Sequence, residues 1–212
     1  MTLHIDTLYA LSLIGTAVFA LSGAMAAARQ GLDIFGFIIV ALAPAVGGGT
    51  VRDLLLGADN VFWINDLNYV YVSSAVAVIA FFQVHRLDGK RYTLLNWADA
   101  FGLGLFTISG TRIALTYGVD PVMAVIMGMI TGTFGGMIRD IVCNEVPLLL
   151  QKEIYALAAI AGSCSYLLLL HLGIPPQGAL VVAASVTFIT RGLAIVFSWT
   201  LPAYRPGGKT KE

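Results

Sequence analysis

The chain has 212 residues, of which 58% are hydrophobic and 11% charged, with 12 basic and 12 acidic side chains and a mean hydropathy of +0.86. Soluble globular domains are about 25% charged, so this composition excludes that class and points to a chain that crosses a membrane several times. The zero net charge offers no field for nucleic acid.

Seven apolar spans follow one another at roughly 6–28, 33–57, 67–85, 96–118, 120–143, 153–171 and 176–199. At about 1.5 Å per residue such lengths cross a ~30 Å hydrocarbon core. The expected fold is therefore all-α, a polytopic membrane protein of seven transmembrane helices. No basic residue precedes the first apolar run and Asp6 opens it, so the N-terminus does not read as a cleavable signal. Turn chemistry marks the connections: Gln30-Gly31-Leu32-Asp33, Gly57-Ala58-Asp59-Asn60, Gly118-Val119-Asp120-Pro121 and Gly173-Ile174-Pro175-Pro176. Residues 201–212 read as a disordered tail. Cys143 and Cys164 have no ligand-like spacing and read as small buried hydrophobes. His4, His85 and His171 lack a second ligand at i+3 or i+4, so no metal site is expected.

The basic residues outside the spans set an orientation. Arg29, Arg86, Lys90, Arg91, Lys152, Arg205, Lys209 and Lys211 fall in alternate connections or in the tail. The N-terminal residues and the loops after the second, fourth and sixth spans carry no Lys or Arg. The positive-inside rule then places the N-terminus outside and the C-terminus in the cytoplasm, in the cell's inner (plasma) membrane.

An internal repeat organises the chain. A shift of 87 residues superposes Phe19 on Phe106, Ser22 on Ser109, Gly23 on Gly110, Asp33 on Asp120, Gly48-Gly49 on Gly135-Gly136 and Arg52-Asp53 on Arg139-Asp140. A single deletion then aligns Tyr69 with Tyr155. Each unit holds three spans, an odd number, so the second inserts upside down relative to the first. The units are expected at 1–90 and 91–172, followed by a seventh helix at 173–200. Inverted repeats with interrupted helices at matching positions mark a path at the repeat interface.

The costly residues recur within that repeat. Gly47-Gly48-Gly49 and Gly135-Gly136 are expected to break or kink the second and fifth spans, with close helix packing as the alternative role. Thr50 and Asp53 have the spacing of a capping box, which would let Thr50 start a second half-helix. Arg52, Asp53, Arg139 and Asp140 lie at a depth where charge is expensive. Adjacent helical residues point about 100° apart, so cross-repeat pairs, Arg52 with Asp140 and Arg139 with Asp53, are expected to brace or gate the path. Ser22 and Ser109 either bond back to their own helices or line a polar constriction. Arg112 lies near Ser109 on the outer side, as a lipid or gating residue. Arg191 is expected to snorkel to anionic headgroups, and Asp99 to favour a helix N-terminus.

The paired Gly-Gly-Gly-x-x-Arg-Asp and Gly-Gly-x-x-Arg-Asp motifs, in two inverted three-span units plus a seventh helix, resemble the trimeric intracellular cation (TRIC) channel family. Its short prokaryotic members are also described as carrying a glycine-transporter domain. The resemblance implies a homotrimer among membrane lipids, with a pore for monovalent cations inside each subunit. The cation is chiefly K+, with Na+ as a second permeant, and the pore is lined by glycine-kinked second and fifth spans. No cofactor is implied. A carrier for a small neutral amino acid such as glycine needs the same broken helices and stays open as the alternative. An intramembrane enzyme would need a nucleophile beside a base, or a metal set at depth, and the sequence has neither.

Overall fold

The computed structural model describes residues 2–87 and 89–202; the expected tail from residue 203 lies outside the described residues. Among these, the chain forms eight α-helices: α1 (Thr2–Arg29), α2 (Ile34–Leu56), α3 (Phe62–Asn65), α4 (Asn68–Gln83), α5 (Arg91–Thr116), α6 (Pro121–Val142), α7 (Ala156–His171) and α8 (Pro176–Phe197). Seven are the expected spans, and α3 is a single turn in the loop after α2. Five helices are long and apolar enough to cross a membrane: the Tyr9–Arg29 part of α1, α2, the Asn68–Arg86 segment, α6 and α8. The sixth span begins later than its apolar run suggests, at Ala156. Before it, residues 148–150 form a 3-10 turn and Glu153 bridges Thr200.

Capping explains why the helices begin and end where they do. The Asp33 carboxylate accepts from the Gly36 amide at 2.8 Å, and its repeat partner Asp120 accepts from the Val122 amide at 2.8 Å. Each satisfies an amide that the first turn leaves free. Gly57 closes α2 in a left-handed conformation (φ 67°), and 87 positions later Asn144 follows α6 at φ 54°. Asn is one of the few residues with a side chain that visits this region readily.

The repeat is visible in three dimensions through reciprocal contacts. The Phe19 and Phe106 rings stack at 5.1 Å with 4° between their planes. Phe106 lies where a Cβ on Gly15 would sit, and Phe19 where a Cβ on Gly102 would sit. Gly15 and Gly102 are themselves 87 apart, so each phenylalanine occupies the space its counterpart's glycine leaves. Pairing 15 with 106 and 19 with 102 also fixes α1 and α5 as antiparallel. The α2–α6 crossing obeys the same rule: Gly48 lies against the Thr131 carbonyl, and Gly135 against Pro44, with 44 and 131 again 87 apart. The second unit is therefore inverted, and α8 packs outside the repeat on α5 and α7.

These contacts overturn the expected helix breaks. Both α2 and α6 run unbroken through their glycines. Missing side chains let backbones meet, which is the small-residue packing of membrane helices. Thr50 caps nothing: its hydroxyl donates to the Val46 carbonyl at 2.8 Å, within the same helix. The residue that perturbs α2 is Pro44, which has no amide hydrogen to give Val40. Of the cysteines, Cys143 is buried, whereas Cys164, expected to be buried, is exposed on α7.

A side chain at the α2–α6 crossing has nowhere to go. Gly48→Val or Gly135→Val should cost at least about 1–3 kcal/mol, the usual range for overpacking. Gly178→Val on α8, where a Cβ meets only ordinary contact at 3.6 Å, should change little. Thermal unfolding of the purified variants in detergent, followed by circular dichroism, distinguishes the two cases.

Candidate functional site

The inverted units place two polar clusters at opposite ends of the α1/α2/α5/α6 core. In one, Arg139 on α6 is fully buried. Its Nε donates to Asp140 Oδ1 at 2.8 Å, and its Nη1 donates to Asp99 Oδ1 on α5 at 2.7 Å and to the Ser22 hydroxyl on α1. Asp140 Oδ2 accepts from the Leu148 amide at 2.9 Å, tying the cluster to the following loop. Gly136 leaves room here: a Cβ would sit 3.1 Å from both Asp99 Oδ1 and the Tyr155 hydroxyl. One guanidinium thus holds three helices together, α1, α5 and α6. Asp99 Oδ2 and the Tyr155 hydroxyl are buried together, and the phenol interacts with the Asp99 carboxylate.

The opposite cluster repeats half of this design. Arg52 Nε donates to Asp53 Oδ1 at 2.8 Å and Nη2 to the same oxygen at 2.6 Å. Asp53 Oδ2 accepts from the Phe62 amide at 2.9 Å, as Asp140 does from Leu148. Arg52 also lies over the Phe62 ring at 5.7 Å, and Trp63 Nε1 donates to the Thr50 hydroxyl at 2.9 Å. Symmetry would give Arg52 two partners across the core, at the positions matching Asp99 and Ser22. Those positions hold Ser12 and Ser109. Neither reaches it by hydrogen bond; both line a cavity of about 320 Å³ between α1, α4, α5 and α8, with Tyr9, Tyr69, Phe106 and Arg112.

The expected cross-repeat pairs are therefore corrected. Each arginine pairs with its own neighbouring aspartate, because a long guanidinium stem folds back over the turn that separates the two Cβ directions. The extra partner of Arg139 is Asp99, which sits fully buried rather than at a helix start. Arg191 does not snorkel: it is buried, paired with Glu153 and placed over the Tyr155 ring at 5.1 Å. Gly47, Gly48 and Gly49 face Ile138, Thr131 and Phe62, so they serve the α2–α6 and α2–α3 contacts. Ser22 and Ser109 lie at different depths. Between them, in order along the antiparallel α1 and α5, comes the Phe19–Phe106 stack.

A family model described as "Glycine transporter" matches residues 9–85 and 96–171, one match for each repeat unit. The structure of the TRIC trimeric intracellular cation channel orthologue from Rhodobacter sphaeroides superposes at a TM-score of 0.87, with 39% identity over 91% of this chain and 99% of that one. The chain belongs to the TRIC family. A prokaryotic TRIC channel crystallised in 0.5 M KCl gives a TM-score of 0.87 at 32% identity, covering 93% of this chain and 100% of that one. Among sequence relatives, a UPF0126 membrane protein of Vibrio cholerae is 39% identical over 202 residues, 95% of this chain and 84% of its own. The UPF0126 inner membrane protein YadS of Escherichia coli K12 is 36% identical over 197 residues, 92% of this chain and 95% of its own. This TRIC chain is accordingly a multi-pass membrane protein whose solved neighbours are channels, not enzymes.

In this TRIC chain the sequence reading missed Asp99, Tyr155 and Ser12 as site residues. The available signal was a mismatch: shifting Asp99 back by 87 lands on Ser12, a charge facing a hydroxyl in an otherwise matched pair of spans. Removing the guanidinium while leaving its partners should be expensive. Arg139→Met strands Asp99 and Asp140 and should cost about 3–5 kcal/mol. Adding Asp99→Leu should return at least about 1 kcal/mol of that loss through their coupling. Chemical unfolding of the single and double variants measures the cycle, and additive losses would show that the two residues do not interact.

Proposed function

We propose that this protein is a channel for monovalent cations, chiefly K+ with Na+ as a second permeant, whose pore lies within each subunit between α1, α2, α5 and α6. The observation that carries the reading is the charge count at the Arg139 cluster: one guanidinium against two carboxylates, Asp99 and Asp140. With both carboxylates ionised, this buried cluster has an excess negative charge. Asp99, whose Oδ1 accepts from Arg139 and whose carboxylate lies beside the Tyr155 hydroxyl, carries that charge. A cation moving along the α1–α5 interface between the two clusters has to pass the Phe19–Phe106 stack before it reaches this carboxylate. The arginine, which alone would repel cations, is outvoted. In this conformation the stacked rings and the Arg139–Asp99–Ser22 contacts close the route, and gating is their separation.

Three further assignments rest on the solved relatives and on the loop charges. The chain assembles as a homotrimer, as the name of the Rhodobacter sphaeroides relative describes that protein. It sits among lipids of the cell's inner membrane with the N-terminus outside and the C-terminus, including 201–212, in the cytoplasm. Residues 1–90 and 91–172 act as the two moving units, with 173–200 as a support. The carrier reading for glycine is weaker, because the cavity lining includes no carboxylate among the described residues to hold an ammonium.

The purified protein in a planar bilayer under a tenfold KCl gradient should give discrete current steps, with a reversal potential near the cation limit of about 59 mV. Saturable uptake without steps would instead support the carrier. Phe19→Ala with Phe106→Ala removes a stacked pair worth about 0.5–1.5 kcal/mol and should raise the open-to-closed ratio about two- to tenfold. Asp99→Asn should move the reversal potential toward zero.

A further inference from the structure

The cavity at the Arg52 end has chemistry that cation passage does not use. Its cation is Arg112, whose Nη1 is buried without a hydrogen-bond partner, and which has no ion pair among the described residues. A guanidinium nitrogen buried without an acceptor is costly. Ser12 and Ser109 line the same space, so hydroxyls are at hand beside the positive charge. The rest of the wall is mostly apolar, with Leu11, Leu105 and Leu180 prominent. Those three leucines are shared with a second, apolar cavity of about 180 Å³ that continues along α5 and α8 to Phe101 and Phe188.

The two spaces together make a groove with a charged head and an apolar tail. From Arg112 to Phe101 the groove follows α5 for eleven residues, roughly 16 Å at 1.5 Å per residue. Arg112 lies one turn from the end of α5 (Thr116), which puts the head near a membrane face and the tail toward the bilayer interior. One guanidinium balances one negative charge. A phosphomonoester, at about −1.5 to −2, would leave charge unpaired in a largely apolar wall, whereas a carboxylate would not.

We propose that this groove is a binding site for a single-chain carboxylate amphiphile supplied by the membrane. Its head pairs with Arg112 beside Ser12 and Ser109, and its acyl chain lies over Leu105 and Leu180 between α1 and α8. The site does not depend on whether the chain conducts cations.

The test compares three probes on the purified full chain in nanodiscs, read as protection against thermal unfolding. Decanoate has head and tail, decanol has the tail with no charge, and propionate has the head with almost no tail. Decanoate should protect saturably and at a concentration at least tenfold below either of the others. R112Q should weaken decanoate about tenfold or more and leave decanol unchanged, while R112K, which keeps the charge, should retain the preference for decanoate. If R112Q does not fold, L180W decides: it fills the tail end, leaves Arg112 in place, and should abolish decanoate protection. Equal protection by decanol, a full effect of propionate, or an undiminished decanoate effect in R112Q or L180W would each overturn the site.

Discussion

The structure depends on one buried guanidinium. Arg139 has no exposed surface, and a lone charge at that depth would cost several kcal/mol or more. Its burial is tolerable because three helices converge on it: Asp140 from its own turn, Asp99 from α5 and Ser22 from α1. The requirement works in both directions. The arginine needs those partners, and their convergence fixes how α1, α5 and α6 sit together. Gly136 belongs to the same constraint, since a side chain there would take the space of Asp99 and Tyr155.

The second arginine shows what happens when the constraint is relaxed. Arg52 keeps its neighbouring aspartate and its tie to the next loop, but serines stand where Asp99 and Ser22 have their counterparts. Without a carboxylate opposite, no ion pair ties α1 or α5 to Arg52 at that end, and a cavity lies there between α1, α4, α5 and α8. A repeat that is close to symmetric in backbone is thereby polarised by one pair of positions, 12 and 99. One end is locked by charge and the other is open. Between them the Phe19–Phe106 stack lies on the pseudo-two-fold axis, each ring seated over the other unit's glycine.

The seven spans, their inversion and the repeat offset were legible in the sequence, because hydropathy and periodicity are local or one-dimensional signals. The reciprocal glycine contacts follow from the same offset. The fate of the glycines was not legible. A Gly-Gly-Gly run is equally compatible with a broken helix and with two backbones in contact, and only the position of Thr131 and Pro44 on the partner helix decides. Pairing of the charges failed for a related reason. The angle between adjacent Cβ atoms says little about where a guanidinium at the end of a flexible side chain will reach, so Arg52 and Arg139 each fold back on their own aspartates. Asp99 and Glu153 escaped notice as partners because ion pairs 40 and 38 residues apart leave no trace in local spacing.

Asymmetry between the two ends is the central claim, and solvent access measures it most directly. In a background without Cys143 and Cys164, a cysteine is placed at Ser109 or at Ser22, and its reaction with an impermeant thiol reagent added from outside is timed. Ser109→Cys should react readily, because it lines the open cavity. Ser22→Cys should be protected, and Asp99→Asn in the same chain should expose it by loosening the hold of Arg139. Equal reaction at the two serines in the otherwise unaltered protein would contradict the account.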